Sequence, residues 1–283
     1  MRFRRWLAGA VLAGAACIDL STDPDEVVAI EFLEPAWPSV VAGDTLRDDQ
    51  GQVAPLQALL FDASGDVVSG IPVTFLARDE RVRITEAGLL IGVDTADGPT
   101  ELLASAPGLQ SNVRRLEVVP SPDSISAGPA VDTLRWVLPD VPATNTSPDL
   151  SARVLHFGDD DTTGVRAWIV RYRLEFGGQE VPPGDTSLVY LVNASGRPQS
   201  ADTTDVNGSV ALRVRVRPGP GLGALDSAVV TLEAQYRGVP IPGGPIRVVV
   251  PLVPAGVAFR AGGAGVRLHE AVSHEGGRRV RPW

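Results

Sequence analysis

Residues 168 to 176 read "WIVRYRLEF", and the alternation along this stretch decides the fold class. Apolar and charged side chains take turns, which places them on opposite faces of an extended chain. The apolar set comprises Trp168, Val170, Tyr172, Leu174 and Phe176, and the charged set comprises Arg171, Arg173 and Glu175. A period of two over this length predicts a half-buried β-strand with one face in water.

A second stretch, "VALRVRV" at 210–216, has the same alternation. Its apolar positions are Val210, Leu212, Val214 and Val216. The pattern predicts that these four side chains point into a core and that Arg213 and Arg215 point to solvent.

Composition extends the prediction to the whole chain. Its 283 residues include 30 glycines and 24 prolines, which interrupt the sequence too often for long helices. Short apolar runs separated by turn residues are typical of β-sandwiches. We therefore expect an all-β protein, and the length favours two domains.

Charge divides the chain into three parts. Residues 25–120 carry a net charge of −10, residues 121–254 carry −3, and residues 255–283 carry +3. We predict a first domain at 27–120, a linker with hinge freedom at 121–132, a second domain at 133–254 and a flexible C-terminal tail at 255–283. The tail is rich in glycine and has little apolar content to bury.

Several motifs resemble those of bacterial immunoglobulin-like domains. In the first domain, "FDASGDVVSGIPVTF", "VRITEAGLLIGV" and "GPTELLASA" resemble strands and turns of the group 2 type. In the second, "TTDVNGSVALRV" resembles the group 1 type of invasin-like and intimin-like adhesins. The stretch "DTLRDDQGQVAPLQA" is longer and more polar than the family's usual second strand. The resemblance implies two tandem immunoglobulin-like β-sandwich domains, and Asn207-Gly208 fits a tight turn because both residue types can take positive φ.

The N-terminus predicts export. Three arginines in "MRFRR" precede an apolar run from Trp6 to Ala16, the order of a secretory signal at 1–16. Cys17, the chain's single cysteine, follows directly, and this arrangement resembles a bacterial lipoprotein signal. The resemblance implies lipid attachment at Cys17, a polar tether at 17–26, and a location in the bacterial cell envelope, anchored to a membrane. Cleavage after Ala16 by ordinary signal peptidase is the alternative, and it would release the mature chain.

Loss of the signal's three arginines changes the net charge from −9 to −12, which disfavours a nucleic-acid partner.

Cationic side chains recur on two predicted strands and could contact an anionic envelope glycan or a protein ligand; they are Arg171, Arg173, Arg213, Arg215 and Arg217. The alternative is a solvated strand face with acidic partners such as Glu175 or Glu233. Trp37, between two prolines, is either an exposed sugar platform or a packing residue at the end of a domain.

Catalytic and metal-binding motifs are weak. His269 and His274 in "HEAVSHEGG" are five residues apart, about 140° around a helix, so they cannot share a metal as the histidines of H-E-x-x-H do. The acidic turns "GDDDTTG" and "DTTDVNG" lack the alternating spacing of a calcium loop. We therefore expect no enzyme, no cofactor and no metal, and His156 is expected to be a structural or surface residue.

Two hypotheses of function follow from the sequence. The first is a non-catalytic cell-envelope lipoprotein whose tandem domains act as spacer or adhesion modules. The second is a soluble secreted or periplasmic carbohydrate-binding protein with the same fold. A metal-dependent hydrolase would have to depend on the tail histidines, and fold alone does not choose between the first two hypotheses.

Overall fold

The computed structural model describes residues 27–95, 97–223 and 226–255, and β-strands form all of its regular secondary structure. The predicted signal and tether, Cys17, and the tail after Ala255 with its two histidines lie outside the described residues. Within them, no helix has the length and apolar character needed to cross a membrane. The chain forms two tandem immunoglobulin-like β-sandwiches, as predicted.

The first sandwich has ten strands. They are β1 (Ala29–Phe32), β2 (Ser39–Val41), β3 (Ala58–Phe61), β4 (Val67–Val68), β5 (Thr74–Ala77), β6 (Val82–Ile84), β7 (Leu90–Gly92), β8 (Thr100–Ala106), β9 (Leu109–Gln110) and β10 (Arg114–Val119). One sheet has the order β2-β10-β8-β5, with β9 also paired to β8. The remaining ladders join β1-β3-β4 and β6-β7.

The second sandwich has thirteen strands. They are β11 (Ser124–Ala127), β12 (Leu134–Trp136), β13 (Leu150–Phe157), β14 (Thr162–Gly164), β15 (Ile169–Phe176), β16 (Gln179–Glu180), β17 (Val189–Val192), β18 (Ala201–Thr203), β19 (Ser209–Val216), β20 (Asp226–Glu233), β21 (Gln235–Tyr236), β22 (Val239–Pro240) and β23 (Ile246–Pro254). One sheet has the order β11-β13-β19-β17, with β14 on β13. The other has the order β12-β23-β20-β15-β16, with β18 on β15, and β21-β22 form a hairpin.

Both sandwiches begin in the same way, with two strands that join different sheets. The first strand pairs antiparallel with the next long strand (β1 with β3, β11 with β13), and the second strand pairs parallel with the last strand of its domain (β2 with β10, β12 with β23). This crossing from one sheet to the other ties the two layers together at one edge, and it is a repeated feature of the chain.

The alternation that predicted β15 is confirmed by burial. Val170, Tyr172 and Leu174 are buried, and so is Trp168 just before the strand, whereas Arg173 and Glu175 are exposed. The Tyr172 hydroxyl donates a hydrogen bond across the core to the carbonyl of Leu150, at 3.3 Å. Burial raises the pKa of Tyr172, so this hydroxyl keeps its proton as a donor.

The predicted linker is partly a strand. Ser124–Ala127 form β11 and pair with Leu155–Ala152 of β13, so these four residues belong to the second sandwich. Prolines and serines suggested a flexible connection, but the β11 ladder supplies the backbone hydrogen bonds that a free linker would lack. The prediction of a linker across 121–132 is therefore wrong for these residues.

The turn at Asn207-Gly208 depends on its glycine. Gly208 has a φ of 74°, whereas Asn207 stays at negative φ, contrary to the expectation for both residues. A Cβ at Gly208 would lie 2.4 Å from the carbonyl oxygen of Val154, so no larger residue fits there. The Asp205 carboxylate accepts hydrogen bonds from the N–H groups of Asn207 and Ser209 and closes the turn.

Candidate functional site

The most elaborate arrangement of polar side chains lies where the two sandwiches meet. On the first sandwich it is built by the loop after β2, residues 42–57, which the sequence marked as unusually long and polar. Backbone hydrogen bonds hold this loop on β7, from Leu46 to Leu90 and from Gly92 to Asp44. Its acidic and glycine residues are thereby fixed facing the second sandwich. We call the contact between the two sandwiches the joint.

The second sandwich contributes the β21-β22 hairpin to the joint. The hairpin has a two-residue turn, Arg237-Gly238, with φ values of 54° and 73°. Positive φ at both positions is the geometry of a type I′ turn, which matches the twist of the paired strands. The turn projects the side chains of Tyr236 and Arg237 toward the first sandwich.

The carboxylate of Asp44 is the centre of the joint. One oxygen, Oδ2, accepts hydrogen bonds from the Tyr236 hydroxyl at 2.9 Å, from Arg237 Nε at 2.9 Å and from Arg47 Nε at 3.0 Å. The other, Oδ1, accepts from Arg47 Nη2 at 3.0 Å and from the Thr45 N–H at 2.8 Å. Asp44 is only 8% exposed, and its bonds to Tyr236 and Arg237 connect the two domains directly.

These contacts keep Asp44 ionised. Burial alone raises the pKa of the carboxyl, but the hydrogen bonds from Arg47, Arg237, Thr45 and Tyr236 lower it more, so the pKa lies well below its usual range. The pKa of Tyr236 is raised, first by burial and then by its bond to Asp44. The joint therefore holds an anion between two cations and a neutral phenol donor.

Aromatic rings pack beside this charge cluster. The ring centroid of Trp168 lies 5.8 Å from that of Trp37 and 5.9 Å from that of Tyr236, both in edge-on geometry. The guanidinium of Arg171 lies 5.8 Å from the Trp37 centroid. Each edge-on pair of aromatic rings contributes about 0.5–1.5 kcal/mol beyond its buried area. Trp37 is 7% exposed, so the sugar-platform prediction is wrong and the packing alternative holds.

Two glycines allow the backbones to touch. A Cβ at Gly51 would lie 2.1 Å from the backbone nitrogen of Gly238, and a Cβ at Gly238 would lie 2.6 Å from the carbonyl oxygen of Gln50. Real Cβ atoms do not approach other atoms this closely. The loop and the hairpin turn are therefore in direct main-chain contact, which only glycine permits at these two positions.

Backbone strain is concentrated at the joint. Among the described residues, the two non-glycine positions with positive φ are Ala167 (52°) and Arg237 (54°). Both contact the first sandwich: the Ala167 carbonyl accepts a hydrogen bond from Ser39 Oγ at 2.8 Å, and Arg237 binds Asp44. A non-glycine residue keeps this conformation only where the surroundings determine it, which indicates a specified interface.

A second group of ion pairs extends the joint. Arg166 of the second sandwich binds Glu117 and Asp97 of the first, each at 3.0 Å. The pocket beside Asp44 has a volume of about 30 Å³, room for a water molecule or two, and a cleft of about 460 Å³ lies between the sandwiches at Asp97, Thr163 and Arg166. The hydrogen bonds and ion pairs of the joint therefore hold the two domains in direct contact.

The arginines proposed as a binding surface lie on different sheets and mostly have acidic partners. Arg171 and Arg173 lie on β15, whereas Arg213 and Arg215 lie on β19 in the other sheet. Four of the predicted binding arginines form ion pairs: Arg171 with Asp49, Arg173 with Glu233, Arg213 with Asp149, and Arg215 with Asp140. Arg217, after β19, lies with its guanidinium 5.7 Å from the Tyr190 ring centroid. The structure does not bring the two predicted stripes together.

Arg215 is buried, contrary to the prediction from the alternation along β19. The prediction placed it in solvent beside Arg213, but it is 6% exposed. Its guanidinium donates to the carbonyls of Asn145 and Val216 and to the Asp140 carboxylate, and Asp140 also accepts from Asn145. The loop at 137–147 folds over this end of β19 and covers the side chain, which alternation along a single strand cannot indicate. Arg215 is a structural residue.

The remaining candidate residues are a histidine beside an acidic side chain and three exposed aspartates. His156 lies on β13, with Nδ1 2.8 Å from an oxygen of Asp123. Asp159, Asp160 and Asp161 occupy an exposed turn. In the described ranges, no group of three or more His, Cys, Asp or Glu side chains is placed to hold a metal ion.

The sequence missed the residues that make the joint. Asp44 lies about 190 positions before Tyr236 and Arg237, and no local sequence pattern links it to them. One signal was present: the polar excess of the 44–58 stretch marked a departure from a plain strand. The hairpin "QYRG" gave no comparable signal.

Similarity to known proteins is limited to solved structures of low sequence identity. No protein-family model matches the chain, and no curated protein matches it significantly. Among solved structures, the adhesin InvE of Yersinia pseudotuberculosis is 17% identical, with a TM-score of 0.31, and the match covers 79% of this chain and 64% of that one. Invasin, described as a bacterial integrin-binding protein, is 14% identical with a TM-score of 0.25, over 80% of this chain and 40% of that one. Domains 1–6 of the surface layer protein SbsC are 11% identical with a TM-score of 0.29, over 83% and 30%. The chain thus spans less than two thirds of each of these structures.

The glycine contact predicts a specific effect of one methyl group. Gly51→Ala should lower the midpoint of thermal unfolding, because the new Cβ would overlap the Gly238 backbone. Gly65→Ala is the matched control, since Gly65 has a similar φ (85° against 78°) but no atom within 4 Å of an added Cβ. Calorimetry should show a larger loss for Gly51→Ala and separate melting of the two domains. Equal losses in the two variants would show that the joint does not depend on this contact.

The Asp44 carboxylate predicts a pH-dependent stability. Asp44→Asn should lower the free energy of unfolding at pH 7 by about 1–3 kcal/mol, because donors from four residues lose a charged acceptor. A lowered pKa contributes stability above the unfolded pKa, near 3.9, and that contribution is lost as pH falls through the folded pKa. Urea unfolding at several pH values should therefore show the two proteins converging below about pH 4.

The control for this substitution is Asp149→Asn, which removes the same charge from the exposed pair with Arg213. It should change stability by less than about 1 kcal/mol. Similar losses for the two variants at pH 7 would contradict a special role for Asp44.

Proposed function

We propose that this protein is a non-catalytic lipoprotein of the bacterial cell envelope in which the two immunoglobulin-like domains act as a fixed spacer. The observation that carries this proposal is the joint. Two sandwiches linked by a free chain would present a mobile end, whereas domains locked through Asp44 hold a set distance and direction from the point of attachment. The strained residues and touching glycines support selection for one arrangement.

The surfaces of the described residues agree with this role. Most of the candidate binding arginines are neutralised by carboxylates, and Trp37 is buried within the joint. A spacer needs a soluble surface and a stable core more than it needs a pocket. Adhesion to a partner through either sandwich remains part of the proposal as a further use of the same unit.

The attachment point we propose is a lipid on Cys17. Its support is sequence alone: an arginine-rich start, a short apolar run, and a single cysteine after small residues. The polar residues 18–26 would then separate the first sandwich from the membrane, by about 30 Å if extended at about 3.3 Å per residue. Because the joint is fixed, the second sandwich would also be held at a set distance from the membrane.

The anchor is tested by metabolic labelling. Expressed in a bacterium supplied with labelled palmitate, the wild-type chain should take up label and partition with membranes. Cys17→Ser should do neither while folding equally well, because Cys17 precedes the first strand, β1, in the sequence. The anchor proposal is wrong if the two proteins take up equal label.

A cleft on the second sandwich favours the alternative of a carbohydrate-binding protein. It has a volume of about 280 Å³ and lies between β15 and the loop at 181–185, with Arg171, Arg173 and Tyr190 in its walls. Guanidinium groups beside an aromatic ring suit an anionic sugar. Asp49 and Glu233 already occupy the two arginines, which is why we place this function second.

Chromatography on an anionic polysaccharide separates the two functions. The spacer proposal predicts that the wild-type chain passes unretained at near-physiological salt. Salt-sensitive retention that is lost in Arg171→Gln/Arg173→Gln but kept in Arg213→Gln would support the cleft instead. Arg213 is a suitable control because it lies on the other sheet.

A further inference from the structure

The two sandwiches differ at one sheet edge. In the second sandwich the outer edge of β15 is covered, by β18 at Ile169–Arg171 and by β16 at Glu175–Phe176. The corresponding strand of the first sandwich, β5, pairs with β8 on one side, and in the part of the chain that the structure describes no strand pairs with its other side. An open edge of this kind can pair with another strand.

Hydrogen-bond alternation shows which backbone groups β5 presents. The Arg78 N–H donates to the Glu101 carbonyl of β8, and β5 continues that ladder with Leu76 opposite Leu103 and Thr74 opposite Ser105. Because alternate residues of an antiparallel strand bond to opposite sides, Phe75 and Ala77 direct their N–H and C=O groups to the open edge. Four backbone groups are thus aligned for a new partner.

The side chains do not protect this edge. Thr74–Ala77 contain no proline and no charge, which are the usual means of blocking an edge strand. Leu76 is 46% exposed on the outer face of the sheet, beside the half-buried Leu103. Arg78, at the end of the strand, is held by Glu101 at 2.7 Å. The edge combines unpaired backbone groups with an exposed leucine.

We propose that β5 of a second copy of this chain occupies the edge, in an antiparallel two-fold pairing centred on Leu76. Full overlap of 74–78 with its copy places the two-fold axis at the middle residue. Phe75 of each copy then exchanges hydrogen bonds with Ala77 of the other, and the two Leu76 side chains meet at a closely spaced, non-hydrogen-bonded position. The result is one sheet that continues through both molecules.

Charge disfavours one alternative register. With the axis at Leu76, Arg78 lies opposite Thr74 of the other copy, and no like charges face one another. A shift that placed the axis at Arg78 would put two guanidinium groups opposite each other, which is unfavourable. The axis at Leu76 avoids this opposition, and because the two strands are identical the pairing is the same at both ends.

The pairing is weak by its size. Four main-chain hydrogen bonds and one leucine pair bury much less than the roughly 1,000 Å² of a stable interface. The first segment of the chain carries a net charge of −10, so two copies repel at a distance. Association should therefore strengthen as salt screens this repulsion, the opposite of an ion-pair interface.

Disulfide trapping tests the proposal in the full chain. In a Cys17→Ser background, Leu76→Cys leaves a single thiol at the axis, where Cα atoms about 4.5 Å apart permit a disulfide. Val67→Cys is the control, since Val67 is also exposed and on the same sandwich. Under mild oxidation the Leu76→Cys protein should form linked dimers about tenfold faster or more than the control, and faster at higher salt.

A backbone variant separates edge pairing from chance collision. Ala77→Pro removes an N–H that faces outward and spares the ladder to β8, so it should slow trapping at position 76 while the domain keeps its fold, as checked by circular dichroism. Equal trapping at positions 76 and 67, or trapping at 76 that Ala77→Pro does not slow, would overturn the proposal. This test uses a chain without Cys17 and so does not depend on the lipid anchor.

Discussion

The buried carboxylate of Asp44 is the interaction on which the arrangement of this molecule depends. A buried carboxylate is unfavourable unless hydrogen-bond donors surround it. Here the donors come from both domains. Arg47 supplies them from the same loop, and Tyr236 and Arg237 supply them from the hairpin of the second sandwich. If the domains separated, Asp44 would lose two partners at once.

The other features of the joint follow from this requirement. Tyr236 and Arg237 bind Asp44 from the tight β21-β22 turn, and this turn places a non-glycine residue, Arg237, at positive φ. The loop and turn come close enough only because Gly51 and Gly238 have no side chains. Trp37 and Trp168 then fill the space beside the charges. Packing, strain and electrostatics thus specify the same relative position of the two sandwiches.

The sequence predicted the sandwiches well because their determinants are local. Alternation along β15 and β19 reports which side chains face a core, and burial of Trp168, Leu212 and Val214 confirmed it. The pattern failed at Arg215, where a loop covers the outer face, and at the supposed linker, where β11 pairs with β13. Both failures have one cause, since each depends on a segment distant in sequence. The joint was missed for the same reason.

Pulsed electron paramagnetic resonance tests the fixed joint most directly. Spin labels at Val67→Cys and Val249→Cys, in a Cys17→Ser chain, would occupy exposed strand positions on the two different sandwiches. The contacts through Asp44 predict one narrow distribution of distances between the labels. A broad distribution at neutral pH, as wide as that of two domains on a flexible linker, would contradict the account.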